Sequence, residues 1–80
     1  MFRRLIKTDE IEVEEIAYAV RYYEARTLRG VRRYSSEIML SSVDCIILDD
    51  DSMTNLESKV ARLVPATIYS RILAARPTAA

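Results

Sequence analysis

The chain is almost free of the two residues that most often build tight turns. Among its 80 residues there is a single glycine, Gly30, and there are only two prolines, Pro65 and Pro77. A protein made only of β-strands needs a turn after each strand, and glycine and proline supply many of the backbone conformations that turns require. Their scarcity therefore predicts a mostly α-helical chain with a few short connections.

Hydrophobic spacing divides the chain into candidate helices. After Thr8, which can cap a helix, Val13, Ile16 and Val20 recur at the intervals of three and four that define one helical face. Gly30 fits the position just after a helix end, where a left-handed backbone is common. The pattern predicts a small bundle of three to four helices, at approximately 9–29, 34–48, 52–64 and 66–75.

The segment 31–48 supports two interpretations. As a helix, it places Met39 and Val43 on one face; as a strand, it alternates Ile38 and Leu40 with polar neighbours. Its four serines weaken both patterns, because serine favours caps and turns. A helix over 34–48 is the prediction, and a short β-hairpin within 31–48, giving an α+β fold, is the alternative.

The last third of the chain carries a clear helix start and an interruption. Three consecutive aspartates followed by Ser52 are typical of a break and an N-cap, and Leu56 and Val60 then begin an apolar stripe. Pro65 is expected to end or bend this helix, so that a separate short helix follows at 66–75.

Length and composition predict one domain, residues 1–80, with flexible ends at 1–7 and 76–80. The single cysteine, Cys45, allows no intrachain disulfide, and the absence of histidine argues against a zinc site. Three adjacent aspartates, 49–51, do not converge on one ion, so no metal and no cofactor are expected. No apolar run approaches the roughly 18 residues of a membrane-spanning helix. We therefore expect a cytoplasmic protein that does not enter the membrane.

Charge is balanced overall but arranged in blocks. The chain has 12 basic and 12 acidic residues, with acids concentrated at 9–15 and five arginines at 21–33. Alternating blocks of this kind favour salt bridges within or between chains, whereas a nucleic-acid-binding domain usually carries a clear basic excess.

One side of the predicted first helix is rich in tyrosine and arginine. These two residue types are enriched at the energetically dominant positions of protein interfaces, since each combines a large contact area with hydrogen bonding. The predicted partner-binding residues are Tyr18, Tyr22, Arg26, Arg29 and Arg33. They indicate a module that binds another protein and, as a small domain without disulfides, associates with itself as a dimer.

The arginine cluster at 21–33 also supports an alternative function, a regulator that binds nucleic acid through phosphate contacts. Catalysis is not expected. Without histidine there is no Cys-His or Ser-His-Asp chemistry, and with one glycine there is no glycine-rich phosphate loop.

Two resemblances add further hypotheses. The stretch Leu48–Met53, with aspartates before Ser52 at a helix start, resembles the attachment motif of acyl- and peptidyl-carrier proteins. That resemblance implies a helical bundle with phosphopantetheine on Ser52. In size and glycine-poor composition the chain is similar to small proteins of phages and mobile elements, anti-CRISPR proteins among them, which inhibit or adapt larger, sometimes nucleoprotein, machines.

Overall fold

The computed structural model describes residues 3–75, which form a four-stranded antiparallel sheet followed by one helix. Each strand lies beside its neighbour in sequence, in the order β1-β2-β3-β4. The elements are β1 (Arg3–Val13), β2 (Ile16–Arg26), β3 (Arg32–Ser41), β4 (Asp44–Asp50) and α1 (Met53–Ala75). The fold is therefore α+β, and the predicted helical bundle is wrong.

The segment 9–29, predicted as the first helix, lies mostly in the β1–β2 hairpin. Val13 pairs with Ile16 across a two-residue turn, in which Glu14 and Glu15 have φ angles of 54° and 68°. Turns of this left-handed type match the twist of paired strands and are usually built from asparagine and glycine. Because two glutamates adopt this conformation here, the scarcity of glycine did not prevent a hairpin.

A period of two, rather than a helical period, describes the buried side chains of β2. Val20 and Tyr22 are 1% and 3% exposed, and the half-buried Tyr18 precedes them on the same side of the strand. β-branched and aromatic residues of this kind pack well on a pleated surface. The spacing from Val13 to Val20 resembles a helical stripe only because a turn separates two strands.

The segment 34–48, predicted as the second helix, forms most of β3 and β4, so the helix prediction is wrong there too. Ile38 pairs with Ile46 in this hairpin, and both are buried. The hairpin alternative corresponds to what the segment forms. Serine tolerates the extended backbone, and Ser36 lies fully buried within β3.

The two helices predicted at 52–64 and 66–75 are a single helix that contains Pro65. Its N-terminus is capped by Ser52, whose Oγ accepts a hydrogen bond from the Asn55 N–H at 3.3 Å. Buried residues on both sides of the proline hold one continuous helix against the sheet, despite the backbone hydrogen bond that proline cannot donate. This buried stripe consists of Leu56, Val60, Val64 and Ile68.

Helix α1 covers one face of the sheet. The core lies between them, and its sheet side includes Val20, Ile38 and Ile46. The opposite side of the sheet, which we call the open face, is covered by no element within residues 3–75. Residues 3–7, expected to be a flexible end, belong to β1, whereas 1–2 and 76–80 lie outside the described residues.

Among residues 3–75 the one helix, α1, is not apolar enough along its length to cross a membrane.

Candidate binding surface

Pairing of the strands arranges the open-face side chains in rows that run across the sheet. Alternate residues of a strand point to opposite faces, and directly paired residues share a face. The two central open rows are Leu5–Tyr23–Ser35–Asp49 and Thr8–Arg21–Glu37–Ile47. Each row therefore takes one residue from each of the four strands.

A cluster of charged and aromatic groups occupies the centre of this face. The guanidinium carbon of Arg3 lies 4.0 Å from the centroid of the Tyr23 ring, a cation–π arrangement. A guanidinium nitrogen of Arg3 lies 3.5 Å from Oε2 of Glu37. A guanidinium nitrogen of Arg21 lies 4.0 Å from Oε1 of the same carboxylate. One carboxylate thus lies between two arginines from different strands, offsets one of their two positive charges and holds Arg3 across the tyrosine.

Large apolar side chains flank the charged cluster. Leu5 is 51% exposed, Met39 43% and Ile47 63%. Met39 pairs directly with the exposed Cys45, and Ile47 lies one open-face position further along β4. We call Met39, Cys45 and Ile47 the Met39 patch. Burying apolar surface of this kind against a partner is favourable, at about 25 cal/mol per Å².

The structure does not bring the five predicted site residues together on one surface. Tyr22 is 3% exposed and lies under α1. Tyr18 is half-buried on the same covered face, beside the C-terminal part of α1. The three arginines lie elsewhere, because Arg26 ends β2, Arg29 is in the following loop, and Arg33 lies on the open face. The helical face that was predicted to carry them is therefore wrong, and their role in binding a partner stays a prediction.

Arg33 is the one predicted residue that belongs to the open face. Its guanidinium nitrogen lies 3.0 Å from Oδ2 of Asp49 on the neighbouring strand. Sequence reasoning missed Leu5, Tyr23, Met39 and Ile47 as members of a surface. The alternation of residue types along each strand was the signal that could have identified them, once the segments were recognised as strands.

Charge is separated between the two ends of β2. The loop between β2 and β3 carries Arg29 and is flanked by Arg26 and Arg32. The β1–β2 turn at the other end of β2 consists of Glu14 and Glu15. The protein is therefore neutral overall but has a basic end and an acidic end.

Tyr22 and Lys7 connect the sheet to the first part of α1 on the covered face. The Lys7 ammonium lies 4.9 Å from the centroid of the Tyr22 ring and 3.1 Å from Oε2 of Glu57. Burial raises the pKa of the Tyr22 hydroxyl above its ordinary value, and the charges of Asp9 and Glu57 raise it further. Tyr22 is buried and packs against α1, whereas Lys7 and Glu57 join the sheet to the helix at the surface.

The region that resembles a carrier attachment motif forms the junction between β4 and α1. The Ser52 hydroxyl caps α1, and the main-chain N–H of Ser52 donates a hydrogen bond to Oδ1 of Asp50 at 3.0 Å. The helical bundle that the resemblance implies is not the fold of residues 3–75. Within these residues no three acidic or cysteine side chains are grouped as metal ligands.

Four shallow depressions on the described surface hold about 190, 210, 240 and 250 Å³. Pockets that enclose small organic ligands usually measure about 300–1,000 Å³. These depressions are below that range, so the open face, with its exposed apolar and arginine side chains, is the better candidate for a contact.

No protein-family model, curated protein or solved structure matches this chain.

Proposed function

We propose that this chain is a non-enzymatic protein-binding module, a small cytoplasmic regulator or adaptor that attaches to a larger assembly through its open face. The observation that carries the proposal is the exposure of Leu5, Met39 and Ile47 on a sheet face that α1 leaves uncovered. An antiparallel sheet with one solvated face usually shows polar residues there. Large apolar side chains at three positions favour a surface that becomes buried in a complex.

The composition of the open face supports a protein partner. Methionine, tyrosine and arginine are enriched in protein interfaces. Arg3 and Arg21 are both within 4.0 Å of Glu37, and Arg33 is paired with Asp49. Glu37 and Asp49 offset two of these three arginine charges, and Glu10 and Glu12 of β1 add two negative charges to the same face, so the face offers no excess positive charge to attract phosphate.

The free thiol of Cys45 is consistent with the cytoplasm. The chain has this one cysteine, and it is exposed in the Met39 patch. Exposed free thiols persist in reducing compartments and oxidise readily elsewhere.

Binding of nucleic acid is a second candidate function, which rests on the basic end of the molecule. Arg26 and Arg29 are exposed there, and neither forms an ion pair with another described residue. Such a contact would weaken steeply with salt, because phosphate binding releases counterions.

The test compares proteins captured by the wild-type chain with those captured by two double variants. Met39→Lys/Ile47→Lys places charges in the Met39 patch. Leu63→Lys/Leu73→Lys is the matched control on α1, where the two leucines are 40% and 46% exposed. We expect recovery of the partner to fall about tenfold, equivalent to about 1.4 kcal/mol, only for the patch variant.

The outcomes separate the two candidate functions. Equal capture by the patch variant and the wild-type chain would contradict the open face as the contact surface. A gel-shift titration of the wild-type chain with single-stranded and duplex nucleic acid provides the second measurement. Binding that decreases steeply with salt and is lost in Arg26→Ala/Arg29→Ala would favour nucleic acid instead.

A further inference from the structure

The sheet has two outer strands with backbone groups available for pairing. Within residues 3–75, β1 is bonded only to β2 and β4 only to β3. The outer edge of β1 belongs to a strand of 11 residues, and that of β4 to a strand of 7. Such edges are templates for pairing with a further strand unless the sequence opposes it.

Charges on β1 are divided between the two halves of the strand. The first half carries Arg3, Arg4 and Lys7, and the second half carries acids at positions 9, 10 and 12. In a parallel pair of β1 strands, like charges would face each other, which destabilises a ladder. In an antiparallel pair, the basic half of each copy faces the acidic half of the other.

We propose that two copies of this chain associate through antiparallel pairing of their β1 edges, centred on Thr8. A two-fold axis perpendicular to the sheet keeps paired residues on the same face. The axis must therefore lie midway between one residue in the regular part of β1 and the same residue of the second copy. Centring on Thr8 places Lys7 opposite Asp9 of the second copy. Centring on Lys7 or on Asp9 would instead place that charge opposite its own copy.

The irregularity in β1 extends this match to the end of the strand. The register with β2 shifts between Leu5 and Lys7, so Ile6 is an extra residue. Counting across that bulge places Arg3 opposite Glu12 of the second copy, both on the open face. Leu5 and Ile6, which are 51% and 40% exposed, come to lie beside the pairing partner and lose exposed apolar surface.

The other edge does not fit the same arrangement. An antiparallel pair of β4 strands centred on Ile47 would place Asp44 opposite Asp50 of the second copy, so like charges would meet at both ends. Pairing of β1 with β4 of another copy uses two different surfaces and gives a ring or an open filament rather than a two-fold dimer. Only the β1 pair is both two-fold symmetric and matched in charge.

The β1 pair gives one sheet of eight strands with both helices on one side. Because the axis is perpendicular to the sheet, the open faces of the two copies become continuous on the other side. This dimer is independent of the proposed function, since it requires no partner protein and is measured on the purified chain. A variant that loses partner capture but still dimerises would therefore test the proposed function and not the dimer.

The first experiment measures the mass of the full chain by sedimentation equilibrium over a range of concentrations and salt. We expect a reversible dimer of twice the 9.2 kDa monomer, with a dissociation constant that increases at high salt because screening weakens exposed ion pairs. A monomer up to about millimolar concentration at low salt would overturn the proposal, since a Kd that weak corresponds to only about 4 kcal/mol of binding free energy.

A charge-exchange experiment tests the register. Asp9→Lys/Glu12→Lys leaves every facing pair positive, and Arg3→Glu/Lys7→Glu leaves every facing pair negative. Each variant alone is expected to be monomeric, and an equimolar mixture is expected to form a 1:1 heterodimer. Dimers of either variant alone, or no heterodimer from two folded variants, would overturn the pairing. Circular dichroism establishes that both are folded.

A disulfide trap tests the axis without changing charged residues of β1 that contact other elements. In a Cys45→Ser background, Thr8→Cys places two thiols at directly facing positions, where Cα atoms lie about 4.5–5.5 Å apart, within the range of a disulfide. Glu10→Cys is the control, on the same face but away from the axis. With oxidised glutathione, Thr8→Cys should form at least about tenfold more crosslinked dimer than Glu10→Cys. Equal crosslinking of both variants would overturn the proposed centre.

Discussion

The ammonium nitrogen of Lys59 lies 2.8 Å from Oδ2 of Asp50 and joins the start of α1 to the end of β4. The same ammonium donates a hydrogen bond to the main-chain oxygen of Asp49 at 3.0 Å. Together with the Ser52 N–H, which also bonds to Asp50, this contact fixes the angle at which the chain passes from the sheet into the helix.

The carboxyl of Asp50 should make stability depend on acidic pH. The Lys59 hydrogen bond, followed by the Ser52 N–H, lowers the pKa of Asp50 well below its ordinary value of 3.8. The folded state therefore gains stability from this group above pH 4, and it loses that gain as pH falls below 4. Asp50→Asn should reduce the thermal midpoint at pH 7 and make it depend less on pH between about 5 and 2.

Lys59→Met serves as the control for this assignment. It removes the partner but keeps Asp50, so it should remove most of the same acid dependence, and the double variant should add little. Independent and additive effects of the two single variants would show that the ion pair is not the cause.

The protein is expected to be more stable when Ser36 is replaced by alanine. Its side chain is fully buried, and its Oγ has no hydrogen-bond partner within the described residues. A buried hydroxyl without a partner loses its bonds to water on folding, so Ser36→Ala should raise the free energy of unfolding by about 1 kcal/mol. Urea denaturation measures the change, and Ser35→Ala, one position away on the open face, is the control. A loss of stability in Ser36→Ala would mean that the hydroxyl is bonded in solution.

Tyr22 should contribute to unfolding at alkaline pH. Burial, with the charges of Asp9 and Glu57, raises the pKa of its hydroxyl above the ordinary value of 10.0. The unfolded chain then loses this proton before the folded chain does, so stability decreases as pH rises above 10. Tyr22→Phe should move the alkaline unfolding midpoint upward, as measured by circular dichroism, whereas Tyr69→Phe on the outside of α1 should not. Identical midpoints for wild type and Tyr22→Phe would contradict this role.

The β1–β2 turn should be improved by the residues that its conformation prefers. Glu14 and Glu15 both have positive φ, which costs a residue with a side chain about 1–2 kcal/mol. Their adjacent carboxylates also repel each other. Glu14→Asn/Glu15→Gly should therefore raise the thermal midpoint and the free energy of unfolding by about 1–2 kcal/mol. Glu14→Gln/Glu15→Gln, which removes the same two charges and keeps a side chain at both positive-φ positions, controls for the loss of charge. A stabilisation of equal size in this control would assign the effect to charge instead of backbone conformation.

Parts of the structure could be predicted from local residues. The helical character of 53–75 follows from the Ser52 cap and from apolar residues at intervals of three and four, and both features are local. The left-handed backbone at Gly30, with φ of 80°, was also predictable, although it ends a strand connection rather than a helix. Pro65 was misleading, because burial of Val64 and Ile68 on either side outweighs its missing hydrogen bond.

The candidate surface could not be predicted without the strand pairing. Arg3, Tyr23 and Glu37 lie far apart in sequence, and they meet only because β1, β2 and β3 pair in one register. A helical interpretation placed Tyr22 outside and Tyr23 in the core, whereas the sheet places Tyr22 under α1 and Tyr23 on the open face. Because side chains repeat every 3.6 residues in a helix and every two in a strand, the change of element swaps the buried and exposed members of this pair.

The amino-acid sequence by itself determined that this is a neutral chain without histidine, with charge in blocks and with a helix that starts after Ser52. It predicted a helix at 9–29, which is wrong, because Val13, Ile16 and Val20 satisfy a helical spacing while Tyr18, Val20 and Tyr22 satisfy a strand spacing. Only the tertiary structure decided between them. Strand hydrogen bonds join residues distant in sequence, and α1 can bury just one of the two faces that the paired strands present.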